Sequence, residues 1–201
     1  MILATNAAAL PSELKASLAI NITTLLTVIC WLFLVAFLIS RFSSSLKTKF
    51  DEIVVPKTRI LMWLIPTTAM AFSLYFSEVL NWMPCKLCWA QRAFIYPLAL
   101  FMMLNLLKPN KLIRIIAALM CVVGSLVSLY HMVLEKFPNI EATKCNPLAP
   151  CSVPWFESIG FIKIGDYSQG LLTIAGMAFT AFITVLVLLF ISKEKKEIKN
   201  G

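Results

Sequence analysis

The segment WAQRAFIYPLALFMMLNLL, residues 89–107, is an apolar run with the polar pair Gln91 and Arg92 near its start. Four further apolar runs of similar length lie at 18–40, 60–82, 112–134 and 169–191. Each run is close to the ~20 residues with which a helix crosses a ~30 Å hydrocarbon core. Because lipid requires every backbone hydrogen bond to be satisfied internally, the five runs predict five transmembrane helices.

The composition agrees with a membrane protein. The chain has 201 residues, of which 60% are hydrophobic, and its mean hydropathy is +0.85. A soluble domain averages nearer ~45–50% apolar residues. The sequence therefore predicts an all-α integral membrane protein whose length suits one compact domain.

Lysine and arginine predict the orientation of the helices, because cytoplasmic loops carry an excess of them. If the five spans alternate, twelve of the eighteen basic residues fall on one side: Arg41, Lys47, Lys49, Lys57, Arg59, Lys108, Lys111, Arg114, Lys193, Lys195, Lys196 and Lys199. That side is predicted to be cytoplasmic, with the N-terminus outside and the C-terminus inside. The net charge of +8 is then a signal of topology, and no nucleic-acid partner is expected.

The first apolar run has two interpretations, a removable signal peptide or a retained helix. Residues 18–40 are longer than a signal peptide, follow little positive charge and end in a basic segment without a small-residue cleavage site. A retained transmembrane helix is therefore expected.

The six cysteines divide by their position. Cys30 and Cys121 lie within apolar runs and are expected to be small buried side chains, whereas Cys85, Cys88, Cys145 and Cys151 lie on the predicted outer side. Thiols outside the cytoplasm are normally oxidised, so disulfides Cys85–Cys88 and Cys145–Cys151 are expected. Pairing between the two loops remains an alternative.

Two other interpretations of the cysteine pairs are structural staples and a zinc site. A C-x-x-C bond closes a very short loop and removes little entropy from the unfolded chain, so it suits electron exchange better than stabilisation. Structural zinc favours two C-x-x-C knuckles, whereas the second pair here has five residues between its cysteines. No metal site is expected.

Arg92 follows Cys88 by four residues, which puts both on one face of a helix. A guanidinium there would stabilise a thiolate and donate hydrogen bonds to a carbonyl oxygen. The alternative is a cation that snorkels at a helix end. A thiolate beside a guanidinium at the membrane edge suits a lipid-soluble oxidant with a carbonyl, and quinone is the obvious candidate.

These motifs resemble the DsbB/BdbC family of membrane quinone:thiol oxidoreductases. The resemblance is carried by PCKLCWAQRAFIYP at 84–97, LYHMVLEKFPNIEATKC at 129–145 and PCSVPW at 150–155. It covers roughly residues 60–191 and implies a four-helix transmembrane bundle made of spans two to five, plus one extra N-terminal transmembrane helix. The chain then divides into 1–59, with a tail, the extra helix and a basic cytoplasmic segment; 60–192, the bundle; and 193–201, a basic cytoplasmic tail.

The resemblance also implies a relay of electrons. A reduced thioredoxin-fold partner of the DsbA type attacks Cys145, and the mixed disulfide is resolved through Cys151. Cys151 exchanges with Cys85, which leaves Cys88 as the thiolate that faces a quinone, ubiquinone or menaquinone. Arg92 holds the quinone. The site would lie on the periplasmic side of a bacterial cytoplasmic membrane.

His131 matches a quinone-proximal histidine of the family, and its alternative is a polar tip at the membrane interface. Gln91 departs from the glutamate that many relatives carry, so a charge at that position is not expected.

Two other classes of function compete with the oxidoreductase. One is a non-enzymatic membrane scaffold with structural disulfides, and the other is a transporter, which would need ionisable residues at the centres of its spans.

Overall fold

A computed structural model describes residues 12–137, 145, 149–152 and 172–200, with the side chains as far as residue 192. Its helices are α1 (Ser12–Ser40), α2 (Ser44–Val54), α3 (Thr58–Leu74), α4 (Lys86–Leu107), α5 (Lys111–Lys136) and α6 (Ile174–Asn200). A 3-10 turn, Val55–Lys57, joins α2 to α3, and a π-helical turn, Tyr75–Val79, extends α3. Five helical segments in the described part are long and apolar enough to cross a membrane: Ser12–Ser40, Ser44–Val79, Lys86–Leu107, Lys111–Lys136 and Ile174–Ser192. The predicted all-α membrane fold with five spans is confirmed.

Four helices form the bundle. Helix α3 packs against α4 and α6, and α5 packs against the same two helices, so the four close a ring. Met62, Leu98, Met102 and Phe182 are fully buried between them. Gly124 lets α5 approach α6, because a Cβ added there would lie 2.5 Å from the Phe182 ring. The close packing of α5 against α6 therefore depends on the absence of a side chain at Gly124.

Helix α1 lies outside this ring and packs against α6. The Trp31 indole Nε1–H donates to the Thr180 hydroxyl over 2.8 Å, which fixes α1 to α6 within the membrane. Helix α2 folds back on α1, since the Phe50 ring lies 5.7 Å from Phe33 and 6.1 Å from Phe37 between centroids. Most of the basic segment 41–59 is thus helical and leads directly into the second span.

The outer end of the second span differs from the predicted 60–82, because the helix ends at Val79. Asn81 adopts a left-handed conformation with φ 56°, which asparagine tolerates better than most residues. The Trp82 backbone N–H then donates to the Phe76 carbonyl over 3.0 Å, and the two rings stack with centroids 5.2 Å apart. This turn brings the chain back across the end of α3 before α4 begins.

The last span also differs from the predicted 169–191, of which 169–171 lie outside the described residues. Helix α6 begins at Ile174 because Thr173 caps it: the Thr173 hydroxyl accepts the Gly176 backbone N–H over 3.3 Å. The helix continues to Asn200, so all but the last residue of the predicted tail 193–201 belongs to α6.

Arg114 and the cysteine cluster lie at opposite ends of the bundle. The Arg114 guanidinium donates to the Leu189 carbonyl over 3.0 Å, near the start of α5 and late in α6. At the other end, Cys85 and Cys151 pack with Leu134, in the last turn of α5. This separation agrees with the distribution of charge that the sequence predicts for the two sides of a membrane.

Candidate active site

Cys85 and Cys88 begin helix α4. Cys85 is the N-cap, and its sulfur accepts the Cys88 backbone N–H over 3.1 Å. Side chains at the N-cap and three residues later lie side by side, so the C-x-x-C spacing brings the two sulfur atoms to 2.7 Å. The expected disulfide is not formed in this structure, in which both cysteines are free thiols.

The second pair, Cys145 and Cys151, is disulfide-bonded. This agrees with one of the two pairings that the sequence allowed and excludes a bond between the loops in this state. Cys151 is fully buried, whereas Cys145 is half-buried. The two sulfur atoms of one bond therefore differ in their access from outside.

The two pairs meet in one cluster. Cys85 and Cys151 are buried together with Leu134 and Ala149, and Cys88 and Cys145 pack against this cluster. Sequence reasoning predicted only that the four cysteines share one side of the membrane. The structure brings all four into a common site at the end of the bundle where α4 begins and α5 ends.

His131 lies next to the first pair. Its ring is 4% exposed, and its Nε2 atom lies 3.7 Å from the Cys85 sulfur and 4.0 Å from a Glu135 carboxylate oxygen. His131 is therefore placed between a thiol and a carboxylate. Among the described residues it lies beside the cysteine pair and does not line the membrane cavity described below.

These contacts make Cys85 the more acidic thiol of its pair. The hydrogen bond from the Cys88 thiol, with smaller contributions from His131 and the Cys88 backbone N–H, lowers the pKa of Cys85 well below its ordinary value, against the opposing effect of burial. The N-terminal end of α4 adds the favourable potential of the helix dipole. The Cys88 thiolate expected from the sequence belongs to a different state, in which Cys85 is bonded to Cys151, and it stays a prediction.

Arg92 is fixed by α3. Its Nε–H donates to the Ser73 hydroxyl over 2.9 Å, and its Nη2 group donates to the Ser73 carbonyl over 2.8 Å. The guanidinium also lies 5.2 Å from the centre of the Trp89 ring, which is within the range of a cation–π contact. A cation that only snorkels towards water would not need two hydrogen bonds to a neighbouring helix.

A cavity of about 500 Å³ runs into the membrane region from this site. Cys88, Arg92, Ser73, Phe76 and Trp82 line it near the site, and side chains of α1, α3, α4 and α6 line the rest. Its volume is within the ~300–1,000 Å³ that is usual for small-molecule sites. The arrangement suits an apolar ligand whose polar end lies near Cys88 and Arg92.

The family model described as "Disulfide bond formation protein DsbB" matches residues 56–192. The chain belongs to the DsbB family. A probable disulfide formation protein C from Halalkalibacterium halodurans is 35% identical to it over 135 residues, which are 66% of this chain and 91% of that protein. Disulfide bond formation protein C from Bacillus subtilis is 31% identical over 67% of this chain and 91% of its own length, and a probable disulfide formation protein C 2 from Bacillus anthracis is 31% identical over 68% and 91%.

No solved structure matches the chain. The DsbB-family match confirms the resemblance inferred from the cysteine motifs. It identifies a multi-pass membrane protein of disulfide bond formation. The matched region begins at residue 56, so all of α1 and α2 precede it.

Sequence reasoning missed two polar contacts of this DsbB-family site. The Thr173 hydroxyl donates to a Glu135 carboxylate oxygen over 2.7 Å, which links α5 to the start of α6. Gln91 is buried, and its amide donates to the Ser128 hydroxyl over 3.1 Å between α4 and α5. The sequence held no signal for either contact, because each joins two residues that are distant in the chain and is formed only when their helices pack.

The same sulfur and nitrogen atoms also have the composition of a metal site. The ligating atoms of Cys85, Cys88 and His131 lie within 4.8 Å of one another. Cysteine spacing and an oxidising compartment spoke against zinc in the sequence, but they did not show that His131 lies beside this pair. Soft metal ions favour thiolate and imidazole ligands, so they would compete with oxidation for the reduced pair.

We expect the reduced protein to keep a Cys85 thiolate as the pH falls from alkaline to neutral. The pKa of Cys85 is lowered, so deprotonation is already complete below the ordinary thiol value of about 8.5. His131→Ala removes one of the contacts that stabilise the thiolate, so it should raise the pH at which half of Cys85 is deprotonated. The measurement is the ultraviolet absorbance of the thiolate against pH. All variants carry Cys121→Ala, which removes the signal of another free thiol.

Leu126→Ala is the matched control on α5, because Leu126 is 60% exposed and faces away from the site. It should leave the midpoint unchanged. A wild-type midpoint at the ordinary thiol value would contradict the assignment of the thiolate to Cys85.

Proposed function

We propose that the protein reoxidises an extracytoplasmic thioredoxin-fold protein of the DsbA type and passes the electrons to a membrane quinone. The observation that carries the proposal is the position of the four cysteines. Cys85 and Cys151 are buried in one cluster, while Cys88 lines an apolar cavity in the membrane region. A path from an outer disulfide to a lipid-soluble acceptor is thus continuous.

Electrons enter at Cys145. In a disulfide, the sulfur that is attacked is the one an incoming thiolate can reach. Cys145 is half-buried and Cys151 is fully buried, so a partner thiolate bonds to Cys145 and Cys151 leaves as the thiolate. The partner and this chain are then joined by a mixed disulfide at Cys145.

The second exchange is internal. Starting from the oxidised inner pair, the Cys151 thiolate attacks Cys85 and forms a Cys85–Cys151 bond, and Cys88 leaves as a thiolate. The second thiol of the partner displaces Cys145, and Cys145 then displaces Cys85 from Cys151 to restore the outer disulfide. The partner is oxidised, and both electrons reside on Cys85 and Cys88.

The residues around the cavity fit a quinone. Its lining is mostly apolar, and the Arg92 guanidinium and the Trp82 and Phe76 rings lie near Cys88. A bound quinone would supply an acceptor for two electrons and two protons. Arg92 would hold a carbonyl oxygen of the ring, and Ser73 keeps the guanidinium in position for this role. His131 would stabilise the Cys85 thiolate as it leaves, on the side opposite the cavity.

We propose a bacterial cytoplasmic membrane as the location, with the N-terminus and the cysteines outside. The support is the separation of Arg114 from the cysteine cluster at the two ends of the bundle. An oxidising compartment on the cysteine side also suits the Cys145–Cys151 disulfide.

Single cysteine variants test the order of the relay. Cys85→Ser should abolish quinone reduction, and Cys145→Ser should block electron entry from the partner while a small dithiol still reduces the inner pair. Cys121→Ala, in the bundle core, should retain near-normal turnover. The measurement is quinone absorbance with purified protein and a reduced thioredoxin-fold partner. Retained turnover in Cys85→Ser would contradict the relay, whereas a wild-type protein without any turnover would favour a scaffold whose disulfides are structural.

Arg92→Lys tests the guanidinium. Lysine keeps the charge and loses the planar fork of donors, so the quinone KM should rise about ten- to hundred-fold, which corresponds to ~1.5–3 kcal/mol for a hydrogen bond to a charged group. The KM for the soluble partner should change little. Arg59→Lys, near the opposite end of the bundle, is the matched control. Equal quinone KM values in wild type and Arg92→Lys would show that Arg92 does not bind the quinone and only contacts Ser73.

The orientation is tested with an impermeant thiol reagent on intact cells. After mild reduction, the reagent should label Cys145, the half-buried member of the second pair. A cysteine introduced as Ser44→Cys, at the start of α2, should stay unlabelled until the membrane is opened. Labelling of Ser44→Cys in sealed cells would reverse the orientation and put the four cysteines in a reducing compartment.

A further inference from the structure

Helix α1 supplies a wall of the membrane cavity although it lies before the region that matches the DsbB family. Its lining residues include Thr23, Leu26, Thr27, Cys30 and Phe33. They recur every three or four residues, so they form one face of the helix. The cavity is therefore a joint product of the family bundle and a helix that the family match does not include.

This face of α1 is apolar despite its threonines. The Thr23 hydroxyl donates to the Ala19 carbonyl over 2.9 Å, and the Thr27 hydroxyl donates to the Thr23 carbonyl over 2.8 Å. Both donors are satisfied within the helix, so the methyl groups remain to contact a ligand. The opposite face is different: Leu25 and Leu32 are 60% and 65% exposed and do not line the cavity.

The position of α1 is fixed. Trp31 is bound to Thr180 across the interface with α6, and the Cys30 thiol lies within hydrogen-bond contact of the Thr184 hydroxyl. Both contacts are made on α6, on the side of α1 that borders the cavity. Helix α1 is thus attached to the bundle by specific contacts with α6.

The cavity is long and narrow enough for a chain-like ligand. Along α6 its lining runs from Ile174 to Leu188, which at ~1.5 Å per residue is about 21 Å. That is roughly two thirds of a ~30 Å hydrocarbon core. One end carries Cys88 and Arg92, and the rest is apolar. A ligand with a polar ring at one end and a long hydrocarbon tail matches both parts.

We propose that α1 forms the binding wall for the isoprenoid tail of the quinone, and so makes the protein selective for quinones with long tails. The inference rests on the proposed function, since it takes the quinone ring to lie at Cys88 and Arg92. Without α1, the lining of α3 and α6 would face lipid, and lipid chains would compete for the groove. When α1 is present, the quinone tail contacts a fixed apolar protein surface in place of lipid chains.

The test fills the α1 side of the cavity. Thr27→Phe and Cys30→Phe enlarge side chains on the lining face, and Leu25→Phe and Leu32→Phe are matched controls on the lipid-facing side of the same helix. Quinone KM is measured for each variant with a long-tailed quinone and with a tail-less quinone. The lining variants should raise the KM for the long-tailed quinone about tenfold and leave that for the tail-less quinone unchanged.

A second readout does not depend on turnover. A quinone with a photoreactive group at the end of its tail should label peptide 12–40 of the wild-type protein on irradiation. Labelling should fall in Thr27→Phe and Cys30→Phe and persist in Leu25→Phe. An excess of unlabelled long-tailed quinone should suppress the label, and an excess of phospholipid should not.

The outcomes separate the two proposals. A wild-type protein that reduces no quinone contradicts the proposed function. A wild-type protein that reduces quinone, with lining variants that affect long-tailed and tail-less quinones equally, contradicts the tail site and leaves α1 as a structural support. Suppression of the label by phospholipid would assign the cavity to a lipid chain and would also overturn the inference.

Discussion

The hydrogen bond from the Cys88 backbone N–H to the Cys85 sulfur is the contact on which the site depends. The first N–H groups of a helix have no partner within it, and in a membrane protein an unmet donor is especially costly. Here a cysteine sulfur accepts one of them at 3.1 Å. The same contact starts α4 and brings the second sulfur to 2.7 Å, where the Cys88 thiol is the main cause of the lowered pKa of Cys85 and the backbone N–H adds a smaller contribution. One hydrogen bond thus contributes both to the start of the helix and to the chemistry of the cysteine pair.

Because the two sulfur atoms belong to one helical turn, they face different neighbours. Cys85 is turned towards α5, where His131 and the buried Cys151 lie. Cys88 lines the cavity that α1, α3 and α6 enclose. A single C-x-x-C pair can therefore join a site of disulfide exchange to a site in the membrane without any movement of the helices. Arg92, one turn further along, is held by Ser73 at the boundary between the two.

The sequence predicted the five spans well, because long apolar runs have few other stable structures in lipid. It predicted the helix ends less well, since those depend on local contacts such as the left-handed Asn81 and the Thr173 cap. Of the site, cysteine spacing predicted the pairs, and Arg92 was found from its place one turn after Cys88. The Ser73 partner of Arg92 and the α1 wall could not be predicted, because both join segments that are distant in the chain.

Charge balance explains why His131 and Glu135 lie where they do. A thiolate at the edge of a low-dielectric region is unfavourable unless a positive or hydrogen-bonding group accompanies it. His131 Nε2 lies 3.7 Å from the Cys85 sulfur and 4.0 Å from the Glu135 carboxylate, so one proton on Nε2 can serve either anion. The Thr173 hydroxyl donates to the other oxygen of Glu135 and stabilises the carboxylate when the imidazole turns to the sulfur. The site therefore offers the thiolate a hydrogen-bond donor while the carboxylate keeps a donor of its own, so neither anion is left without one at the edge of the low-dielectric region.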